Sequence, residues 1–217
     1  MTIEDSKRHE RLLYIDTEST FWAGPPPPGL FCEIIEIGVV EMDPATLKIT
    51  RERSCFVRPK RWEISPRCTK FTGITSDDIR TARTLPEVIA KVTEEFSPSS
   101  ALCCTWGDDA SLIATACHKN RLRMPFRNVQ DLAPLFQSLF LLHEMAGLHS
   151  AVSMMGLTFD GVPHGALPDA RNTALLHAAV LRRMRKESDP LPVIEQARGS
   201  TELTPFAQKL RRALGTC

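Results

Sequence analysis

Residues 11–16 read Arg11-Leu12-Leu13-Tyr14-Ile15-Asp16, a short apolar run ending in an acid, and Thr17-Glu18 adds a second acid two positions on. An apolar run of this length bounded by polar text reads as a buried strand. Successive strand side chains point to opposite faces, so Asp16 and Glu18 share one face. Two carboxylates delivered to a sheet edge form one wall of a cation site, although an isolated Asp-x-Glu is more often a solvated strand end. After it, Ala23-Gly24-Pro25-Pro26-Pro27-Pro28-Gly29 predicts a stiff loop.

Working outward, Glu33 to Met42 and Ile49 to Val57 read as strands, with Asp43-Pro44-Ala45-Thr46 as the turn between them. The three runs suggest an antiparallel meander. Val88, Ile89, Val92 and Phe96 recur at helical spacing over Pro86 to Phe96, with the proline in the first turn where it is tolerated. Ala101 to Trp106 predicts a fourth strand and Asn128-Val129-Gln130 a short fifth. Helices are expected near 108–119, 132–142, 149–155 and 168–185. The order implies an α/β fold: a mixed five-stranded sheet, three antiparallel strands and then parallel ones, flanked by helices. The expected organisation is a flexible N-terminus at 1–10, one domain at 11–186, and a linker with a short amphipathic helix at 187–217, where Phe206, Leu210 and Leu214 form a stripe.

Bulk properties narrow the classes. The chain has 217 residues, 42% hydrophobic and 24% charged, with a formal net charge of +1, which excludes wholesale disorder and a strongly basic coat. No apolar stretch reaches the length of a membrane span and the N-terminus lacks an apolar leader core, so a cytoplasmic protein without membrane contact is expected. Seven cysteines, an odd count with no Cys-x-x-Cys pair, read as buried free thiols rather than a disulfide frame or zinc site.

Two further acidic clusters stand where strands or loops give way to helices. Trp106-Gly107-Asp108-Asp109 precedes an apolar face of Leu112, Ile113, Ala116 and Cys117. His164 precedes Asp169 by five residues at the start of an Ala/Leu-rich helix. Alone, each acid reads as a helix N-cap. Together, four acids offer the hard oxygen ligands that Mg²⁺ and Mn²⁺ take, and two such ions side by side stabilise the attacking and leaving oxygens of a phosphodiester. An imidazole titrating near neutrality is suited to take a proton from water.

The three clusters, in this order, resemble the DEDDh exonucleases of the RNase H-like fold. Tyr14-Ile15-Asp16-Thr17-Glu18, Glu33 to Val40, Phe56-Val57-Arg58-Pro59, Phe71-Thr72-Gly73-Ile74-Thr75 and His164 to Asn172 resemble the enhanced-RNA-interference branch, over roughly residues 11–186. The resemblance implies a 3′–5′ exonuclease acting on single-stranded RNA or DNA 3′ ends and releasing nucleoside 5′-monophosphates. Asp16, Glu18, Asp108 and Asp169 would hold two Mg²⁺ (or Mn²⁺) and His164 would be the general base. Matching Leu112-Ile113 and counting back from Cys117 selects Asp108, with Asp109 as the alternative ligand. Thr17, Thr20, Phe21, Trp22, Thr72 and Gly73 are expected on the substrate side, with an aromatic stacking on a base. Arg58, Lys60, Arg61, Arg67 and Lys70 form the densest basic stretch. A catalytically silent nucleic-acid-binding or scaffold protein is the alternative, opposed by the intact set of four acids and a histidine. Protein partners are not legible.

Overall fold

In a computed structural model, residues 9–60 and 64–185 are described. The expected tail helix, most of the N-terminal segment and Arg61 lie outside them. Strands β1 (Leu12–Ser19), β2 (Ile34–Asp43) and β3 (Lys48–Arg58) form the antiparallel meander, and the turn between β2 and β3 is closed by the Asp43 carboxylate accepting from the amides of Ala45 and Thr46. Helices α1 (Pro66–Thr72) and α2 (Ser76–Arg80) follow, then β4 (Arg83–Thr84), α3 (Leu85–Phe96), β5 (Leu102–Thr105), α4 (Asp109–Lys119) and β6 (Asn128–Asp131). Helices α5 (Leu132–Leu139), α6 (Leu148–Met154) and α7 (Ala166–Met184) complete the chain.

The sheet has six strands in the order β4-β3-β2-β1-β5-β6, one more than expected. The extra strand is the two-residue β4, which pairs in parallel with the end of β3. Two residues carry no periodicity, so only the proximity of β3 makes them a strand. The parallel pairs β1–β5 and β5–β6 are as expected.

Both faces of β1 are covered, which explains its unbroken apolar text. Leu12 and Tyr14 join a core with α5, α6 and α7, while Leu13 and Ile15 join a core with α3 and α4. The alternation continues beyond the apolar run: Asp16 and Glu18 extend the α7 face, and Thr17 extends the α4 face. Among the described residues no helix is long and apolar enough to cross a membrane. Cys68, Cys103, Cys104 and Cys117 are buried free thiols, and burial pushes Cys103 and Cys104 up to about 12.

Behind the acids, the Tyr14 hydroxyl lies 2.9 Å from His177 Nδ1 of α7. Burial, aided by the Arg185 charge, lowers His177 from 6.5 to about 4. The imidazole is therefore neutral in the fold and protonated in the unfolded chain between those values. Its contribution to stability is complete above about pH 6.5 and is lost as pH falls through about 4, a change of about 3 kcal/mol. Urea unfolding followed across this window should show that His177→Leu flattens the pH dependence; an unchanged slope would place the titration elsewhere.

Candidate active site

The end of β1 is the foundation of the site. Asp16 and Glu18 are 7% and 4% exposed, and the β1–β2 register shifts just after Glu18, a local irregularity of the kind that re-aims side chains at a sheet end. From the first turn of α7, Asp169 reaches the same place: Asp16, Glu18 and Asp169 each offer a carboxylate oxygen, all within 4.8 Å of one another. Three anions at this spacing repel by on the order of 3 kcal/mol per pair at an effective dielectric near 20. Hard oxygen donors so crowded suit a divalent cation such as Mg²⁺ or Mn²⁺, which removes that repulsion.

His164 lies in the loop before α7, half-buried, with a left-handed φ of 67°. Such a backbone is uncommon outside glycine and is retained only where its surroundings enforce it. Here the His164 amide donates to Asp169 Oδ1 (3.3 Å), and the imidazole stacks on Phe71, ring centroids 3.8 Å apart and planes at 28°. Phe21 meets Phe71 edge-on at 5.6 Å. Base candidate and carboxylates thus come together although almost 150 residues of sequence separate Glu18 from His164.

The two acids of the second cluster diverge. Asp108 is exposed at the N-cap of α4, makes no capping hydrogen bond through its side chain and is outside the three-carboxylate group. Asp109 is 5% exposed, and its Oδ1 accepts from the Thr17 amide (3.0 Å) and hydroxyl (2.6 Å). Matching to the family's apolar pair favours Asp108; the turn into α4 buries Asp109 against β1 and leaves Asp108 exposed.

Expected substrate-side residues also separate. Thr17 is fully buried and turned to the α4 face, because a strand alternates. Thr20 is buried and ties the loop end, donating its amide to Glu33 O (2.8 Å) and accepting the Glu33 amide (2.9 Å). Both side chains are thus tied into the frame of the site. Phe21 and Trp22 are half-buried, Thr72 closes α1, and Gly73 supplies the left-handed cap with φ 75°. Arg67 and Lys70 lie exposed on α1, which presents Phe71 to His164. Arg58 and Lys60 instead line a cleft of about 700 Å³ with Lys119, where α3 and α4 face the ends of β2 and β3.

Sequence reading missed the residues that hold α7 in place. The Glu36 carboxylate accepts from the Ala166 amide (3.0 Å) and the Ser54 hydroxyl (2.6 Å). Gly38, on the same face of β2 and opposite Asp16, leaves room for the helix start: a Cβ there would sit 2.2 Å from Ala166 O. The Asn172 side chain joins Asp160 and Pro168 backbone groups, and Arg171 makes a two-bond ion pair with Glu52. The available signal was the spacing of Glu36 and Gly38, two apart on a strand.

A mixed sheet with a cluster of carboxylates at the end of β1, and the His164 amide bonded to one of them, is an α/β domain whose site is suited to holding a divalent cation. The family model described as Exonuclease (RNase_T) matches residues 13–177, and the chain belongs to that family. It is 31% identical to ERI1 exoribonuclease 2 of Danio rerio over 78% of this chain and 35% of that protein. It is also 29% identical to the probable 3′-5′ exonuclease KapD of Bacillus subtilis, over 83% and 89%, and 28% identical to human 3′-5′ exoribonuclease 1, over 80% and 53%. The chain thus spans about half or less of the length of these two animal relatives. Among solved structures, the nuclease domain of 3′hExo, a DEDDh family member bound to rAMP, superposes with a TM-score of 0.68 at 27% identity, covering 86% of this chain and 97% of that one. A full-length 3′-exonuclease superposes at 0.71 with 26% identity, over 81% and 62%.

Proposed function

We propose that this chain is a 3′–5′ exonuclease that removes nucleotides from single-stranded RNA or DNA 3′ ends, assisted by two Mg²⁺ or Mn²⁺ ions. The observation that carries the reading is the convergence of Asp16, Glu18 and Asp169 within 4.8 Å, with His164 bonded to Asp169 through its amide. The relatives named as exonucleases support it, as does the neighbour bound to rAMP. Cations held by the carboxylates would neutralise the phosphodiester and the departing oxygen. His164, as general base, takes a proton from water as the water oxygen bonds to phosphorus. The bond from phosphorus to the 3′ oxygen breaks, that oxygen is protonated, and a nucleoside 5′-monophosphate leaves. We assign the fourth acid to the Asp108-Asp109 pair, and the burial of Asp109 beside Thr17 favours Asp109. A cytoplasmic site of action belongs to the same proposal, supported by the buried free thiols.

A time course on 5′-labelled RNA and DNA of one sequence, in Mg²⁺, Mn²⁺ and EDTA, tests the reading and names the substrate. A ladder shortening from the 3′ end, absent in EDTA and in His164→Ala, is the expected result. No shortening with either metal, with strand binding retained, would instead establish a silent binding protein. In the same assay Asp109→Ala should lose at least about tenfold more activity than Asp108→Ala, since the buried carboxylate has the fixed position that catalysis requires. The reverse order would return the role to Asp108.

A further inference from the structure

Helix α7 begins without a side-chain cap of its own. Its N-cap is Gly165, in extended conformation with φ −112° and ψ 135°, and no capping side chain follows from that residue. The amide of Asp169 is satisfied locally by Gly165 O (3.0 Å), and Pro168 has no amide hydrogen. Ala166, the first helical residue, donates instead to Glu36 Oε2 at 3.0 Å, across 130 positions of sequence. Glu36 is 6% exposed, and its other oxygen is held by the Ser54 hydroxyl at 2.6 Å, so the carboxylate itself is fixed on both sides. An anion at this point also meets the positive end of a 19-residue helix.

The location gives this cap its meaning. Ala166 lies two residues after His164 and three before Asp169. Glu36 stands directly across the β1–β2 ladder from Glu18, as Gly38 stands across from Asp16. One strand therefore bears the acids and its neighbour bears the seat on which the histidine and the third acid rest. We propose that Glu36 is a positioning residue for the hydrolytic site: by anchoring the Ala166 amide it sets His164 and Asp169 relative to Asp16 and Glu18, without itself touching substrate or metal. The proposal rests on the nuclease reading of the same site.

The test compares Glu36→Gln, which keeps size and an acceptor oxygen, with Glu36→Ala, which removes both. In Glu36→Ala, kcat on a single-stranded 3′ end is expected to fall about thirtyfold or more with KM changed by less than about threefold, because misplacement of reacting groups acts on the chemical step. Glu36→Gln should recover most of kcat and bind the parental number of Mn²⁺ ions by calorimetry. Two results overturn the proposal: a folded Glu36→Ala with kcat within about twofold of the parent, or loss of a bound Mn²⁺ in Glu36→Gln, which would make Glu36 a ligand. If Glu36→Ala does not fold, Glu36→Gln decides alone: kcat within about threefold of the parent with parental Mn²⁺ stoichiometry supports the anchor, and a larger fall in kcat or the loss of a bound ion overturns it. A readout independent of hydrolysis separates this failure from failure of the nuclease reading. Stacking on Phe71 should shift the His164 ring protons upfield in the NMR spectrum, and Glu36→Ala should abolish that shift, while an unaltered shift counts against the anchor even if the parent hydrolyses nothing.

Discussion

Asp16→Ala is expected to reduce hydrolysis by on the order of a thousandfold while leaving the protein folded. The loss follows from geometry: removing one of three carboxylates that lie within 4.8 Å of one another leaves a cation with too few fixed oxygen ligands. Folding survives because the same deletion lowers the repulsion among the remaining acids, and the apolar contacts of Leu12 to Ile15 are untouched. Thermal unfolding gives the companion measurement. An excess of Mn²⁺ about a hundred times its dissociation constant should stabilise the parent by about 2.7 kcal/mol. That increment should vanish in Asp16→Ala, whose metal-free stability should stay within about 1 kcal/mol of the parent. Full activity in the variant would refute the assignment of Asp16 to the metal site; a collapse of metal-free stability would mean that Asp16 has a structural role.

The second large effect is expected at a residue without a side chain. Gly38→Val should destabilise the fold by more than about 3 kcal/mol, a large share of the 5–15 kcal/mol typical of a domain. A Cβ at Gly38 would lie 2.2 Å from Ala166 O, 2.3 Å from Ala166 C and 2.5 Å from Leu167 N, all backbone atoms that cannot rotate aside. Helix α7 must retreat from β2, breaking the Glu36–Ala166 hydrogen bond and carrying Asp169 from Asp16 and Glu18. Urea unfolding measures the first consequence and hydrolysis at low temperature, where the variant is still folded, the second. A Gly38→Val protein with parental stability would show that the close approach of α7 to β2 is dispensable. Gly73 provides the contrast, since nothing lies within 4 Å of a Cβ there and only its φ of 75° resists substitution.

Much of the frame is written in local patterns. Short apolar, β-branched runs and the Asp43-Pro44 turn specify the β1–β3 meander, and the helical recurrence of Val88, Ile89, Val92 and Phe96 specifies α3. Signals for α1 and α2 were present but short: Ser65 before Pro66, and the reciprocal Thr75–Asp78 pair, which forms a capping box. Helices of seven and five residues have too few turns for a periodic face to stand out from loop text. The 83–84 strand has no pattern at all and exists because the end of β3 lies beside it.

By itself the sequence determined which chemistry is available and one piece of its geometry. It supplies four candidate acids and a histidine in family order, and because a strand alternates with period two, it places Asp16 and Glu18 on one face before any tertiary contact forms. Tertiary structure alone decided the rest. It brought Asp169 and His164 to those acids through the packing of α7 on β1 and β2, buried Asp109 against Thr17 while leaving Asp108 exposed, and made Glu36 and Gly38 the seat of a helix 130 residues away. The reason is physical: alternation is a property of the local backbone, whereas the burial of an acid or the capping of an amide depends on which distant groups arrive within hydrogen-bond reach.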